Sequence, residues 1–290
     1  MTGTTGPAAL PALEDREFRQ LTCLIHREAG IHLADTKRAL LVGRLGRRLR
    51  ELGLPSFGAY YRHVLEAGPG ELVRLLDAIA TNETQFFREP RQFELLGGAL
   101  CDRWEVEAAA GRRPRALRLW SAACSTGEEP YSLAMLLHAR LAPAGWRIEI
   151  LASDLSTKAL ARASAGVYRI EKTEPIPTSL RKRYMQRGIG PELGRARMGS
   201  IVRGLVRYER INLRDVDWPV RGTFDAVFCR NVLIYFDAVL RVETVRRLLG
   251  HLSPGGYLFL GHAESLAATS HQLEVVMPAV YRVPPVVTTA

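Results

Sequence analysis

Three short polar segments carry residue types that can do chemistry. The first is the turn Trp120-Ser121-Ala122-Ala123-Cys124-Ser125-Thr126-Gly127-Glu128-Glu129-Pro130, directly after the apolar run Ala116–Ala122. Small side chains at Ala122, Ala123, Ser125 and Gly127 let backbone approach a ligand closely. The spacing is not GxGxxG, so a dinucleotide would lack its pyrophosphate fingerprint. Glu128 and Glu129 would repel a phosphate and suit a ligand carrying positive charge, such as the ammonium and sulfonium of S-adenosylmethionine. The same acids also fit a bare helix start, where the dipole favours them; the turn alone leaves both readings open. The second segment is Asp154, which closes Ile150–Asp154. A carboxylate about 20 to 30 residues beyond such a turn is placed to accept ribose hydroxyls. The competing role is a cap for a helix starting near Ser156, and the spacing favours the ribose. The third is Phe224–Cys229 running into Arg230-Asn231-Val232-Leu233-Ile234-Tyr235-Phe236. Polar groups directly after a buried strand sit at the ligand edge of a parallel sheet, and Asn231 offers both a donor and an acceptor there.

The elements that must position these groups follow from periodicity. Residues 13–80 repeat apolar positions at helical spacing, as in Phe18, Leu21, Leu24, Ile25 and Leu72, Leu75, Leu76, Ile79, which predicts about four helices. A further helix is expected over 91–110. From Ala116 the pattern becomes strands alternating with helices: strands 116–122, 147–153, 206–211, 224–229 and 256–261, and helices 130–141, 156–165 and 238–251. A last apolar pair, 274–277 and 279–283, suits an antiparallel edge. Such alternation implies a doubly wound, mostly parallel sheet. Residues 167–205 break it with Pro and Gly and little helical period, which reads as an inserted subdomain of small antiparallel strands. The domain expectation is a disordered leader over 1–12, a helical domain over 13–90 and an α/β domain over 91–290.

Bulk properties narrow the class. The chain has 290 residues, 47% of them hydrophobic, enough for a sizeable core. No apolar run approaches the length of a membrane span, and the first residues have neither the basic start nor the apolar stretch of a signal peptide. Cys23, Cys101, Cys124 and Cys229 form no CxxC pair, so neither a disulfide framework nor a metal site is expected, and the compartment is the cytoplasm. The net charge of +10 speaks about partners: nucleic acid, an anionic surface or an acidic protein. It concentrates in two places. Ala34–Arg50 holds six basic residues and one acidic, a net of +5, with Lys37, Arg44, Arg47 and Arg48 opposite an apolar stripe of Leu41, Val42, Leu45 and Leu49. Arg169–Arg214 holds twelve basic residues and four acidic, a net of +8.

Four motifs in order resemble one family, the CheR chemotaxis receptor methyltransferases. Thr81–Glu89 (TNETQFFRE) is similar to its TNxTxFFR segment. Ser121–Ser132 (SAACSTGEEPYS) is similar to its SAxSTGEEPYS loop. Cys229–Asp237 (CRNVLIYFD) and Gly255–Ser265 (GGYLFLGHAES) resemble its CRNVxIYFD and GGxLxLGxxES segments. The resemblance spans about residues 13–283; Cys124 stands where many members carry a smaller residue. It implies a Rossmann-like S-adenosylmethionine-dependent methyltransferase sheet, an N-terminal all-helical domain and a small inserted β-subdomain. It implies S-adenosylmethionine as cofactor and S-adenosylhomocysteine as product. By position, Asn82, Thr84 and Arg88 would line the cofactor's methionine end. Glu128 or Glu129, with Asp154, would hold the rest. Asn212 and Leu213 would flank the adenine, and Arg230 and Asn231 would close the site.

The implied reaction is methyl transfer to receptor glutamate side chains. A carboxylate with a reference pKa of about 4.3 is already ionised at neutral pH and needs no general base. The catalytic work would be positional, with Arg88 or Arg230 orienting the incoming carboxylate and Tyr235 directing it by a hydrogen bond. The implied partner is the acidic helical bundle of a chemotaxis receptor, docked on the basic helix 36–50, with a receptor C-terminal peptide as a possible second ligand of the β-subdomain. A monomer that neither inserts into membrane nor binds nucleic acid is expected. Two alternatives remain. A nucleic-acid methyltransferase would also be basic, but Arg230–Tyr235 occupies the place of the Asp/Asn-Pro-Pro-Tyr segment that many amino-methylating enzymes use. A non-catalytic regulator binding S-adenosylhomocysteine or a nucleotide is the second; intact Asn82, Arg88, Asp154 and Asn231 argue against a decayed site.

Overall fold

A computed structural model describes residues 10–266 and 273–285. Of the leader expected over 1–12, residues 1–9 lie outside the described residues. The chain divides into two compact units: residues up to Thr81 together with Tyr235–Asp237, and Asn82–Ile234 with Ala238 onward.

The first unit is helical, with α1 (Asp15–Ala29), α2 (Arg38–Leu52), α3 (Phe57–Glu66) and α4 (Pro69–Ile79). Local sequence sets the ends. Glu14 and Glu17 form a capping box before α1, and Gly30 and Gly53 end α1 and α2 in the left-handed conformation. Ser56 caps α3 by accepting from Ala59 N at 3.1 Å. The apolar faces meet in one core that includes Phe18, Leu21, Ile25, Leu41, Leu45, Phe57, Tyr60 and Leu75. Part of the basic face of α2 is spent on this fold. Arg48 grips buried Glu71 through two hydrogen bonds of 2.8 and 2.6 Å, and Tyr60 donates to the same carboxylate. This pairing holds the Glu71 carboxyl below the usual carboxylate range. Arg44 donates to the carbonyl of Ile79 and to Thr81 Oγ1.

The second unit opens with α5 (Pro90–Leu95), one π turn (Leu96–Leu100) and α6 (Cys101–Ala109). Its strands and helices then run β1 (Ala116–Ala122), α7 (Glu128–Leu141), β2 (Arg147–Asp154), α8 (Thr157–Ala165), β3 (Val167–Arg169), α9 (Thr178–Tyr184), β4 (Met185–Arg187), β5 (Arg195–Met198), α10 (Ser200–Gly204), β6 (Val206–Arg210), β7 (Phe224–Cys229), α11 (Ala238–Gly250), β8 (Leu252–Leu260), β9 (Glu274–Met277) and β10 (Val280–Arg282). The main sheet has the order β6-β2-β1-β7-β8-β10-β9. Its first five members are parallel, and β10 and β9 close the edge antiparallel. The order reverses beside β1, so the β1–α7 and β7 exits share one crevice, where such sheets hold ligands.

Three details depart from the sequence reading. The helix expected over 91–110 is broken by the π turn at Gly97-Gly98, where a Cβ on Gly97 would lie 2.9 Å from Leu136 of α7. The insert forms the expected antiparallel sheet, β3-β5-β4, but also α9 and α10, too short to show a helical period. β8 begins at Leu252 rather than Gly256, because the Pro254-Gly255 pair hides its start.

Candidate functional site

The turn after β1 is held by its neighbours on both sides. Asp154, at the end of β2, accepts from Ser125 N and Ser156 N, both at 2.8 Å. Its carboxylate therefore pins the turn and the entry to α8, whose side-chain cap is Ser156 (2.8 Å and 3.1 Å being the Asp154–Ser156 and Ser156–Ala159 bonds). Gly127 stands at φ 95°. A Cβ there would meet Ala163 and the Tyr168 hydroxyl at 2.8 Å each. Glycine is thus required by the contact with α8 and β3 and by the left-handed turn.

Glu128 and Glu129 point to different surroundings. Glu128 is 1% exposed; it accepts from Thr126 Oγ1 at 2.7 Å, and its other oxygen lies 3.8 Å from Lys172 of the insert. Glu129 has a side chain 12% exposed and lies between Ser121 Oγ (2.7 Å) and Arg230 Nη1 (3.1 Å). Burial pushes both carboxyls above their ordinary pKa; Thr126 opposes this at Glu128, and Arg230 opposes it at Glu129.

Arg230 is the hub of the crevice. Its side chain is 2% exposed, and it pairs with Glu89 Oε2 and Glu129 Oε2 at 3.1 Å each. It also donates to the carbonyl of Arg88 and lies over the Phe93 ring. This arginine is committed to two carboxylates and a carbonyl, so a bidentate grip on an incoming carboxylate would require those bonds to break. Arg88 differs: the residue is half-buried, and its guanidinium donates to Glu83 O at 3.3 Å.

The Thr81–Glu89 segment reaches the crevice through Phe86 and Phe87. Phe86 is buried and packs edge-on against Tyr168, and Phe87 N donates to Ser132 Oγ at 3.0 Å. Asn82 and Thr84 are half-buried in the same segment. Phe87, Glu89, Ala123, Ser125 and Asn231 all hold positive φ, between 50° and 69°. Such conformations cost about 1–3 kcal/mol each in residues with side chains and gather where a site is built. Asn212 spends its side chain locally, donating to Asp215 Oδ1 at 3.1 Å and accepting from Arg214 N at 3.2 Å; Leu213 is buried. Tyr235 groups with the helical unit, where its carbonyl accepts from His32 N at 2.9 Å. The structure thus brings Glu129, Arg230 and the backbone of Arg88 into direct contact.

Several residues of this site were not singled out from sequence. Ser121 and Ser132 bound the turn motif but were given no role of their own. Glu89 sits before Pro90 and reads as an ordinary helix start. Glu264 accepts from Asn231 N, Ile234 N and Gly261 N at 2.7, 3.1 and 2.8 Å, and nothing local in the sequence signals a reach of 33 residues.

A reversed parallel sheet with an acid-lined turn after β1, a carboxylate after β2 and an Arg-Asn pair after β7 defines a methyltransferase-type cofactor crevice. Comparison with known proteins gives the family. Residues 82–281 match the CheR methyltransferase SAM binding domain, and residues 16–80 match the CheR all-alpha domain. The chain is 42% identical over 265 residues to chemotaxis protein methyltransferase 2 of Pseudomonas aeruginosa, covering 91% of this chain and 92% of the relative. It is 41% identical over 272 residues to the chemotaxis protein methyltransferase of Escherichia coli K12, covering 93% and 91%. A relative in Borreliella burgdorferi is 32% identical over 273 residues, covering 92% and 93%. The chain belongs to the CheR methyltransferase family: it is an S-adenosylmethionine-dependent methyltransferase of chemotaxis. Among the described residues no helix is long and apolar enough to cross a membrane.

Proposed function

We propose that the chain transfers the methyl group of S-adenosylmethionine to glutamate side chains of chemotaxis receptors in the cytoplasm, giving methyl esters. The observation that carries this reading is the match of both the SAM binding domain and the all-alpha domain, in order, over nearly the whole chain. The cofactor supplies an electrophilic methyl on a sulfonium. Residues of the crevice suit it: a mostly buried carboxylate in Glu129, and the Ser125 hydroxyl, which is buried without a hydrogen-bond partner among the described residues.

Of the acidic pair, Glu129 is the cofactor residue. It faces Ser121 and Arg230 at the strand ends, whereas Glu128 is turned to Thr126 and Lys172 of the insert. Asp154, at the end of β2 beside the turn, is the ribose residue. Asn82, Thr84 and Asn231 line the remaining wall, and Asn212 and Leu213 offer the adenine their backbone and an apolar side chain. Arg88 is the residue that orients the receptor carboxylate; Arg230 contributes by holding Glu89, Glu129 and the Arg88 carbonyl in register. Tyr235 directs the carboxylate by its hydroxyl. Bringing an already ionised oxygen in line with the methyl and excluding water supplies the rate, so no proton has to move.

The receptor docks through the exposed charges of Lys37, just before α2, and of Arg47 and Arg50 on it, and a receptor C-terminal peptide adds to the β-subdomain. The domain assignment proposed is a helical domain over 13–90 and a methyltransferase domain over 91–290. Incubation with labelled S-adenosylmethionine and receptor-bearing membranes tests the reaction: base-labile label in a receptor band is expected. Label that resists base, or label found in nucleic acid, would refute it.

A further inference from the structure

The loop that carries Arg230 and Asn231 is held from behind by one side chain that the reaction as described does not use. Glu264 lies in the loop after β8 and is 5% exposed. One of its oxygens accepts from Asn231 N at 2.7 Å and from Gly261 N at 2.8 Å, and the other accepts from Ile234 N at 3.1 Å. Three amide donors on one buried carboxylate satisfy a charge that would otherwise be costly to bury. They also collect two chain segments that are far apart in sequence.

The clasp sets a particular geometry. Asn231 stands at φ 58°, in the left-handed region that few residues with a side chain occupy and that asparagine tolerates best, so the clasp selects this conformation without large strain. Its amide nitrogen donates to Glu264, and its side-chain amide lies against Gly261, so close that a Cβ there would collide with it. The same added Cβ would lie 2.8 Å from Glu264 Oε2. Gly261 therefore clears the space into which the clasp draws Asn231. At the other end of this loop Arg230 is fixed by Glu89 and Glu129. Behind it, Gln92 donates to the carbonyl of Leu260 at 2.8 Å and holds the end of β8.

We infer that Glu264 is a positioning residue for methyl transfer: its carboxylate holds Asn231 in the left-handed conformation that directs the side-chain amide at the cofactor. This rests on the reading of Asn231 as part of the cofactor wall. A neutral amide cannot replace the carboxylate. In Glu264→Gln one oxygen remains to accept, while the new NH2 faces backbone N–H donors.

The test is S-adenosylhomocysteine binding by calorimetry, with turnover and thermal melting, on the full chain. The variants are Glu264→Gln, Asn231→Gly and the pair combined. Glycine at 231 accepts positive φ without a clasp and removes the side chain. Glu264→Gln is expected to weaken binding about tenfold or more, since small misplacements at a reacting centre have large effects. In the Asn231→Gly background the same change should alter binding less than about twofold, because coupled residues are non-additive. A Glu264→Gln protein that melts earlier yet binds and turns over within about twofold of the parent would overturn the proposal and leave Glu264 a structural residue only. Full additivity of the two changes would overturn it as well. If Asn231→Gly alone leaves binding unchanged, the cofactor-wall reading fails, and this inference with it. Should Glu264→Gln not fold, Glu264→Asp keeps the charge with a shorter reach and is expected to show weakened binding in a folded protein.

Discussion

Arginine does two different jobs in the two units. Arg230 in the crevice is 2% exposed and bound by Glu89 and Glu129 at 3.1 Å each. Arg47 on α2 is 84% exposed and pairs with Glu51 one turn away. Arg48, its neighbour, is 18% exposed and spent on buried Glu71. Residue type alone does not separate the three. Burial separates them: the inner two hold a fold or a site together, and the outer one is available to a partner. Lost Coulomb energy is small at a screened surface and large where removal strands a buried carboxylate.

The sharpest way to break this contrast is Arg230→Met. It leaves Glu89 and Glu129 buried without a cation, and a loss of about 3–5 kcal/mol is expected. Melting should fall by about 2–4 °C per kcal/mol, and cofactor binding should vanish with it. A variant as stable as the parent would contradict the assignment of Arg230 as hub. Arg48→Met should lower stability by about 2–4 kcal/mol, because Glu71 loses two charged hydrogen bonds. Denaturant unfolding would measure it, and a change below about 0.5 kcal/mol would place Arg48 with the surface residues.

Glu129→Gln sharpens the comparison inside the crevice. It removes a charge proposed to face a cation, and cofactor affinity should fall about tenfold, the equivalent of about 1.4 kcal/mol. Burial raises the Glu129 carboxyl, so it takes up a proton at a higher pH than a free carboxyl. Cofactor affinity of the parent should therefore fall as pH drops from neutral towards the ordinary carboxylate range, and Glu129→Gln should flatten that decline. For stability the sign is opposite: an acid raised in the folded state favours folding when protonated, and that contribution is lost as pH rises through its folded value. The smallest effect on stability belongs to the outer charges. Lys37→Glu with Arg47→Glu and Arg50→Glu should change stability by less than about 0.5 kcal/mol per site. The same reversal should slow receptor methylation, most at low ionic strength. An equal rate at every salt concentration would remove α2 from the docking account.

Most of the scaffold was legible. The apolar run at 224–229 and the strand at 116–122 have the ends their patterns imply, because a strand buried on both faces is a short continuous apolar block. Helices α9 and α10 were not legible, since seven and five residues complete too few turns to display a period. The site divides in the same way. The pair Glu128-Glu129, Asp154 and Arg230 follow strands and could be singled out by position. The choice between Glu128 and Glu129 could not be made, because adjacent helix residues point about 100° apart and sequence does not say which side holds the insert. Gly127 was assigned to ligand approach, yet the atoms that demand it are those of Ala163 and Tyr168. Glu264 fell within the Gly255–Ser265 motif but was given no role, because its three partners lie on Asn231, Ile234 and Gly261, and their backbone amides carry no residue signature.

The central claim is that a receptor glutamate receives the methyl group. Peptide-resolved mass spectrometry of receptors incubated with the purified chain and S-adenosylmethionine tests it most directly. The account predicts a single added methyl as an ester on glutamate side chains of the cytoplasmic helical bundle, removable by mild base and missing with Arg88→Ala. Methyl groups on lysine, arginine or the nitrogen of any other side chain, or receptors left unmodified by an active enzyme, would contradict it.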